Sequence, residues 1–274
     1  MNSRRPRIGV FDSGFGGLTV LKELVACIPD SDYFYFGDTA RLPYGSKSAE
    51  TVARYALSAA HYLEEQGAQL LVIACNTASA LALDQIQAAA HVPVIGVVEP
   101  GAACAAAATR SKNVVVLATE ATVSSRAYEK ALRSRGIESK QKACPLLVPL
   151  VEEGWVDHPV TEQVVSIYLD EAFVDRSRSA DILLLGCTHY PLLRPLLARV
   201  APPGVTIVDS AESTAAAVKE KLEVQPLPRS ESGERRASPR IKFFATDSRE
   251  KFQRLGAMFL GHRIDEVVHV DLKE

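Results

Sequence analysis

Two ten-residue stretches share a pattern that could do chemistry. "LLVIACNTAS" (Leu70–Ser79) and "ILLLGCTHYP" (Ile182–Pro191) each climb through aliphatic residues to a small one, a cysteine and then hydrogen-bonding residues. A cysteine where a buried strand ends and a helix begins sits near unpaired backbone N–H groups and the positive helix terminus. Both favour the thiolate over a free thiol of pKa about 8.5. The same N–H groups suit an anionic ligand such as a carboxylate, and Asn76, Thr77 and Thr188 add neutral donors. A lone buried cysteine ordinarily behaves as a small hydrophobe, and that reading is kept for Cys27, Cys104 and Cys144, which lack such neighbours. The matched pair Cys75 and Cys187 is read as reactive. Two facing thiols without a redox motif suggest proton transfer on both sides of a bound carbon. One thiolate removes a proton, the opposite thiol supplies one to the other face, and a stereocentre inverts. No cofactor is needed in principle, but the carbanion needs a dry, preorganised site. Disulfide chemistry would instead need the sulfurs close enough to bond.

Other polar residues cluster near strand ends. "FDSGFGGLTV" (Phe11–Val20) sets an acid and a hydroxyl before a Gly-rich turn. It fails the dinucleotide fingerprint, because Thr19 stands three beyond Gly16 where Gly or Ala is required. It has two readings, a tight strand-to-helix turn alone or one that also presents Asp12 as a ligand-facing acid. "GDTARLPYG" (Gly37–Gly45) has the same two readings, since Pro-Tyr-Gly often simply makes a turn. His189, two residues after Cys187, could tune that thiol or shuttle a proton. Its spacing to the cysteine does not make a metal site.

The elements that must position these residues read as alternating strands and helices. Aliphatic runs at 8–11, 33–36, 70–74, 94–97, 114–118, 182–185, 205–208 and 241–245 predict strands. Ala/Leu-rich or amphipathic stretches at 18–27, 49–66, 78–90, 124–135, 161–173, 192–200 and 212–222 predict helices. Near-continuous apolar strands in such an order imply an α/β fold of mainly parallel sheets covered on both faces, with chemistry where strands end. "VFDS" precedes "IACNT" by about as many residues as "VLAT" precedes "LGCTH", which suggests an internal repeat and two lobes facing a shared cleft. The Pro/Ser/charge-rich Val224–Arg240 reads as an exposed loop without a catalytic role.

Composition narrows the class. The chain has 274 residues, 47% hydrophobic, enough for a substantial core in one or two domains. A formal charge of -2 gives no general attraction to nucleic acid or anionic membrane. The Ala-rich run Gly101–Ala108 is far too short to span a membrane. The start "MNSRRPRIGVFDSG" enters a strand-like run rather than a signal sequence. Five scattered cysteines without CxxC argue against a disulfide framework or a zinc knuckle. A cytoplasmic protein is expected.

Taken together, "FDSGFGGLTV", "YFGDTARLPYG", "ACNTASA", "PLVEEG", "GCTHYPLL" and "FFATDSREKF" closely resemble the glutamate racemases of the cofactor-independent aspartate/glutamate racemase superfamily. The resemblance implies two pseudo-symmetric Rossmann-like lobes with glutamate in the cleft between them. The first lobe would be 1–97 plus 209–274 and the second 98–208. It implies Cys75 acting on the D-enantiomer and Cys187 on the L-enantiomer, with Asp12 and Glu152 assisting Cys75 and His189 assisting Cys187. Asp12, Ser13, Tyr44, Gly45, Asn76, Thr77, Thr122, Thr188 and His189 would face the amino acid. "VLATEAT" has alanines where many relatives have glycines, so Thr119 and Thr122 match the pattern less closely than the cysteine motifs. No metal or cofactor is implied. Such enzymes supply D-glutamate for peptidoglycan and are often homodimers; some also restrain DNA gyrase, a partner this sequence does not indicate. The other readings are an aspartate or hydantoin racemase of the same superfamily, an amino-acid-binding protein without turnover, and a redox-sensing thiol protein.

Overall fold

The computed structural model describes residues 5–174, 179–227 and 238–272. Two parallel sheets carry the chain. In order along the sequence the strands are β1 (Arg7–Asp12), β2 (Asp32–Gly37), β3 (Leu70–Ile73), β4 (Val94–Gly96), β5 (Asn113–Ala118), β6 (Glu138–Ala143), β7 (Ile182–Gly186), β8 (Thr206–Asp209), β9 (Ile241–Ala245) and β10 (Val268–His269). The first sheet has the order β10-β9-β2-β1-β3-β4 and the second β6-β5-β7-β8. Every recorded pair is parallel. The sub-order β2-β1-β3-β4 repeats as β6-β5-β7-β8, so the internal repeat is one of topology. In this repeat β3 corresponds to β7, and these are the strands that lead to Cys75 and Cys187.

The central strands β1, β3, β5 and β7 are buried on both faces, as their apolar runs require. Along β1, Ile8 and Val10 enter one core while Phe11 enters another; along β3, Leu70 and Val72 part from Leu71 and Ile73 in the same way. Val115, Leu117, Leu183 and Leu185 of the second sheet join the first of these cores. That core therefore runs between the two sheets and sets their spacing. The opposite face of the second sheet packs Val114, Val116, Ile182 and Leu184 with Ala102, Ala105 and Leu132 from its helices.

Several elements differ from the sequence expectation. β6, with sequence ESKQKA, is an edge strand of half-buried polar residues and offers no aliphatic run. The helix expected over 124–135 is two helices, Glu120–Ser125 and Ala127–Arg133, separated by Arg126 in the left-handed conformation at φ 58°. The first is capped by Thr119, whose hydroxyl accepts from the N–H of Thr122. A further helix, Arg249–Leu260, follows β9 and buries Phe252, Leu255 and Phe259 against the first sheet's side of the core. Ten residues of the Val224–Arg240 segment, 228–237, lie outside the described residues. Among the described residues no helix is long and apolar enough to cross a membrane.

Candidate active site

Cys75 is held by two elements at once. β3 ends at Ile73, and the helix Asn76–Ala89 begins immediately after the cysteine, which is its N-cap in an extended conformation. The helix forms because Ala78, Ala82 and Ile86 recur at helical spacing on the buried face, and it ends at Ala89, four residues before Pro93. Sulfur takes the capping role usually held by oxygen: Sγ accepts from the N–H of Ala78 at 3.5 Å and donates to Ser13 Oγ at 3.5 Å. Cys187 directly follows β7, and its Sγ lies 3.9 Å from His189 Nδ1. Both thiols are nearly inaccessible from outside.

The two cysteines line one cavity of about 370 Å³, a size suited to a small metabolite. Ser13, Tyr44, Gly45, Asn76 and Thr77 line it from the first sheet's side, and Thr119, Glu152, Thr188 and His189 from the second's. Val148 and Pro149 of the helix Leu147–Glu152, with Leu42 and Pro43, give the lining its apolar part. Cys144, read from sequence as an inert thiol, is also in the lining, with Sγ donating to the Lys142 carbonyl.

Three hydroxyls cross the cleft. Thr77 Oγ1 lies 2.9 Å from Thr119 Oγ1, which is 2.9 Å from Thr122 Oγ1. Thr119, the weaker match in sequence, is at the cavity wall, whereas Thr122 is fully buried behind it and absent from the lining. Asp12 also departs from the ligand-facing role expected of it. It is fully buried outside the lining, with Oδ2 accepting from Gly14 N–H at 2.9 Å and Oδ1 from Thr188 Oγ1 at 3.4 Å. These bonds turn the carboxylate back onto the loops that carry Ser13 and Cys187. Gly16 permits that closeness, since a Cβ there would stand 2.3 Å from Thr188 Oγ1 and 2.5 Å from His189 Nδ1.

Glu152, expected beside Cys75, belongs to the Cys187 side. Its Oε1 is 3.2 Å from His189 Nε2, and Oε2 is 3.5 Å from Lys251 Nζ. Imidazole therefore bridges a carboxylate and a thiol, a base–orienter arrangement like that of activated nucleophiles. Burial pushes the Glu152 carboxyl up, but the hydrogen bond and charge of His189, then Lys251, more than offset it and leave the pKa below its ordinary value. The sequence could not reveal this pairing, because Glu152 and His189 are 37 residues apart. Asp38, unremarked in the sequence, braces the opposite wall: Tyr44 Oη donates to its Oδ2 at 2.6 Å and Thr246 Oγ1 to its Oδ1 at 2.8 Å. The segment after β9 thus holds the loop that presents Tyr44 and Gly45.

Burial works against the helix terminus and disfavours the thiolate at both cysteines. Burial, then the Asp12 charge, pushes Cys75 up to about 11 against the opposing bonds from Ser13 and Ala78. Burial likewise raises Cys187, with the His189 N–H opposing and Cys75 and Asp12 adding to the rise. Desolvation here outweighs the helix N-terminus. A raised pKa means less thiolate at a given pH. Alkylation of Cys75, isolated by difference from Cys75→Ala, should accelerate about tenfold per pH unit from neutrality to about pH 10. A plateau below about pH 8 would contradict it.

Comparison with known proteins agrees with this architecture. The family model described as Asp/Glu/Hydantoin racemase matches residues 8–218. A protein named glutamate racemase from Koribacter versatilis (strain Ellin345) is 60% identical over 289 aligned residues, covering 99% of each chain. The crystal structure of glutamate racemase from Thermus thermophilus in complex with beta-chloro-D-alanine superposes with a TM-score of 0.86 at 42% identity, over 99% of both chains. That of Francisella tularensis subsp. tularensis SCHU S4 glutamate racemase in complex with D-glutamate gives 0.88 at 36%, over 98% of both. With two topologically equivalent cysteines in one cavity and likeness over its whole length, the chain belongs to the Asp/Glu/Hydantoin racemase family of cofactor-independent isomerases.

Proposed function

We propose that the protein interconverts L- and D-glutamate by proton transfer between Cα and two cysteines. One observation carries the reading: Cys75 and Cys187 stand at equivalent strand ends and line the same small cavity. The glutamate racemases of K. versatilis, T. thermophilus and F. tularensis, the last crystallised with D-glutamate, support glutamate as substrate. The role that follows is supply of D-glutamate for peptidoglycan. Apart from Asp209, which ends β8 in the second sheet, the sheet membership supports two lobes, 1–97 with 209–274 and 98–208, closing on the amino acid.

In the L-to-D direction Cys187 is the base. His189 Nδ1 takes the Cys187 proton while Glu152 stabilises the imidazolium at Nε2. The thiolate then removes the Cα proton of L-glutamate, and the electron pair of the broken C–H bond stays on Cα and its carboxylate. Cys75 delivers its S–H proton to the opposite face. D-glutamate forms, with Cys187 now a thiol and Cys75 a thiolate beside Ser13 Oγ and the Ala78 N–H. The reverse reaction exchanges the two roles. Backbone N–H groups at the start of the helix Asn76–Ala89, together with Thr77, Thr119 and Thr188, offer neutral donors to the carboxylates. Asp12 acts from behind as a positioning residue for Ser13 and Thr188.

Chiral chromatography after incubation with L-glutamate or L-aspartate, without added cofactor, tests the reading. D-glutamate formation with little D-aspartate is expected. Preferential turnover of aspartate or a hydantoin would move the chain to another branch of the family, and tight glutamate binding without turnover would make it a binding protein.

A further inference from the structure

One side chain touches the neighbours of both cysteines. Tyr128, on the helix Ala127–Arg133, is fully buried outside the cavity lining. Its Oη accepts from Asn76 Nδ2 at 2.8 Å, and Asn76 is the residue after Cys75. Its ring lies against Gly186, the residue before Cys187. A Cβ at Gly186 would meet Tyr128 Cε2 at 2.9 Å, so only glycine lets the ring approach the strand end this closely. Ser210, first residue of the helix Ser210–Val224, completes the junction with Oγ 3.3 Å from Asn76 Nδ2. The remaining amide atom, Asn76 Oδ1, is buried and has no hydrogen-bond partner among the described residues.

From this geometry we infer that Tyr128 is a positioning residue that fixes the separation of Cys75 and Cys187 across the cleft. The inference rests on the two-cysteine reading above. A tyrosine ring has two torsions and little play when packed. The path from Cys75 through Asn76, Tyr128 and Gly186 to Cys187 is thus a short, stiff spacer between parts of the two sheets. Two-base inversion has a narrow tolerance, because both sulfurs must reach one carbon from opposite faces. Misplacement by about 1 Å can cost roughly a hundredfold in rate. The bond to Tyr128 also sets the plane of the Asn76 amide at the first turn of the helix that Cys75 caps.

Tyr128→Phe keeps the ring on Gly186 and removes the tie to Asn76. The expected result is a kcat for L-glutamate roughly tenfold to a hundredfold lower, KM changed by no more than about threefold, and a larger primary isotope effect with Cα-deuterated glutamate. The enlarged effect is the sign that proton transfer, rather than fold integrity, has been impaired. Tyr33→Phe is the matched control. Tyr33 is an equally buried tyrosine whose Oη serves the Leu24 and Ile28 carbonyls; its variant should lose stability without altering the isotope effect. Ser210→Ala, which removes the weaker tie, should move the isotope effect the same way by less. If wild type racemises glutamate but Tyr128→Phe retains wild-type kcat, the inference is overturned while the two-cysteine reading stands. A lower kcat with an unchanged isotope effect would also overturn it, since that signals fewer active molecules. Wild type without racemase activity would overturn the underlying reading and this inference with it.

Discussion

Cys75→Ala and Cys187→Ala are each expected to lower kcat/KM for glutamate racemisation at least roughly 1,000-fold in both directions. Each thiol alternates as general base and general acid, and such a group contributes typically 10²–10⁴-fold. The L/D equilibrium constant is unity, so kcat/KM must fall equally in the two directions for any variant. The partial reactions need not be symmetric. Cys187→Ala keeps the base for D-glutamate and should exchange that enantiomer's Cα proton with solvent slowly, without inversion. Cys75→Ala should do the same for L-glutamate. Replacing a small buried thiol by alanine costs on the order of 1 kcal/mol, so thermal melting should shift by only a few degrees. A variant that retains more than about a tenth of wild-type kcat/KM would remove its cysteine from the chemistry.

His189→Asn should lower kcat roughly 100-fold, the second-largest effect expected at this site. The imidazole is the neighbour through which Cys187 can lose its proton, and burial makes that loss costly. Glu152→Gln keeps a hydrogen-bonding group at Nε2 and removes its charge, so a smaller loss of about tenfold is expected. Because the dyad serves Cys187, kcat with L-glutamate should fall more than kcat with D-glutamate, and KM should compensate to keep the two kcat/KM values equal. Steady-state kinetics in both directions would check this. Equal loss of the two kcat values would contradict a role of Glu152 and His189 confined to Cys187.

The fold and much of the site were legible because burial leaves a plain signature. β2, β3 and β7 are buried throughout and β1 is buried after Arg7, so their centres read as apolar runs. Each reactive cysteine follows such a run directly. β6 gives no comparable signal, since an edge strand can carry Lys and Gln where a central one cannot. The break at Arg126 escapes periodicity because both flanking helices continue the same kind of sequence. Facing directions were harder still. Asp12 ends β1 as a strand-end acid should, yet it is fully buried behind the lining, its oxygens taken up by Gly14 and Thr188. Glu152 lies in a six-residue helix whose approach to His189 depends on how the helix folds over the cleft. The thiol ionisation was not legible for a related reason. Helix position is written in the sequence, whereas the degree of desolvation emerges only when the two sheets close on each other.

The most direct test of two-cysteine racemisation is proton NMR of the reduced protein with L-glutamate in D2O, without added cofactor. Loss of the Cα–H signal should track the appearance of D-glutamate by chiral chromatography, with deuterium at Cα of the product and neither process proceeding at the wild-type rate in Cys75→Ala or Cys187→Ala. Inversion that survives at the wild-type rate in either variant, or no loss of Cα–H from glutamate in folded protein, would contradict the account.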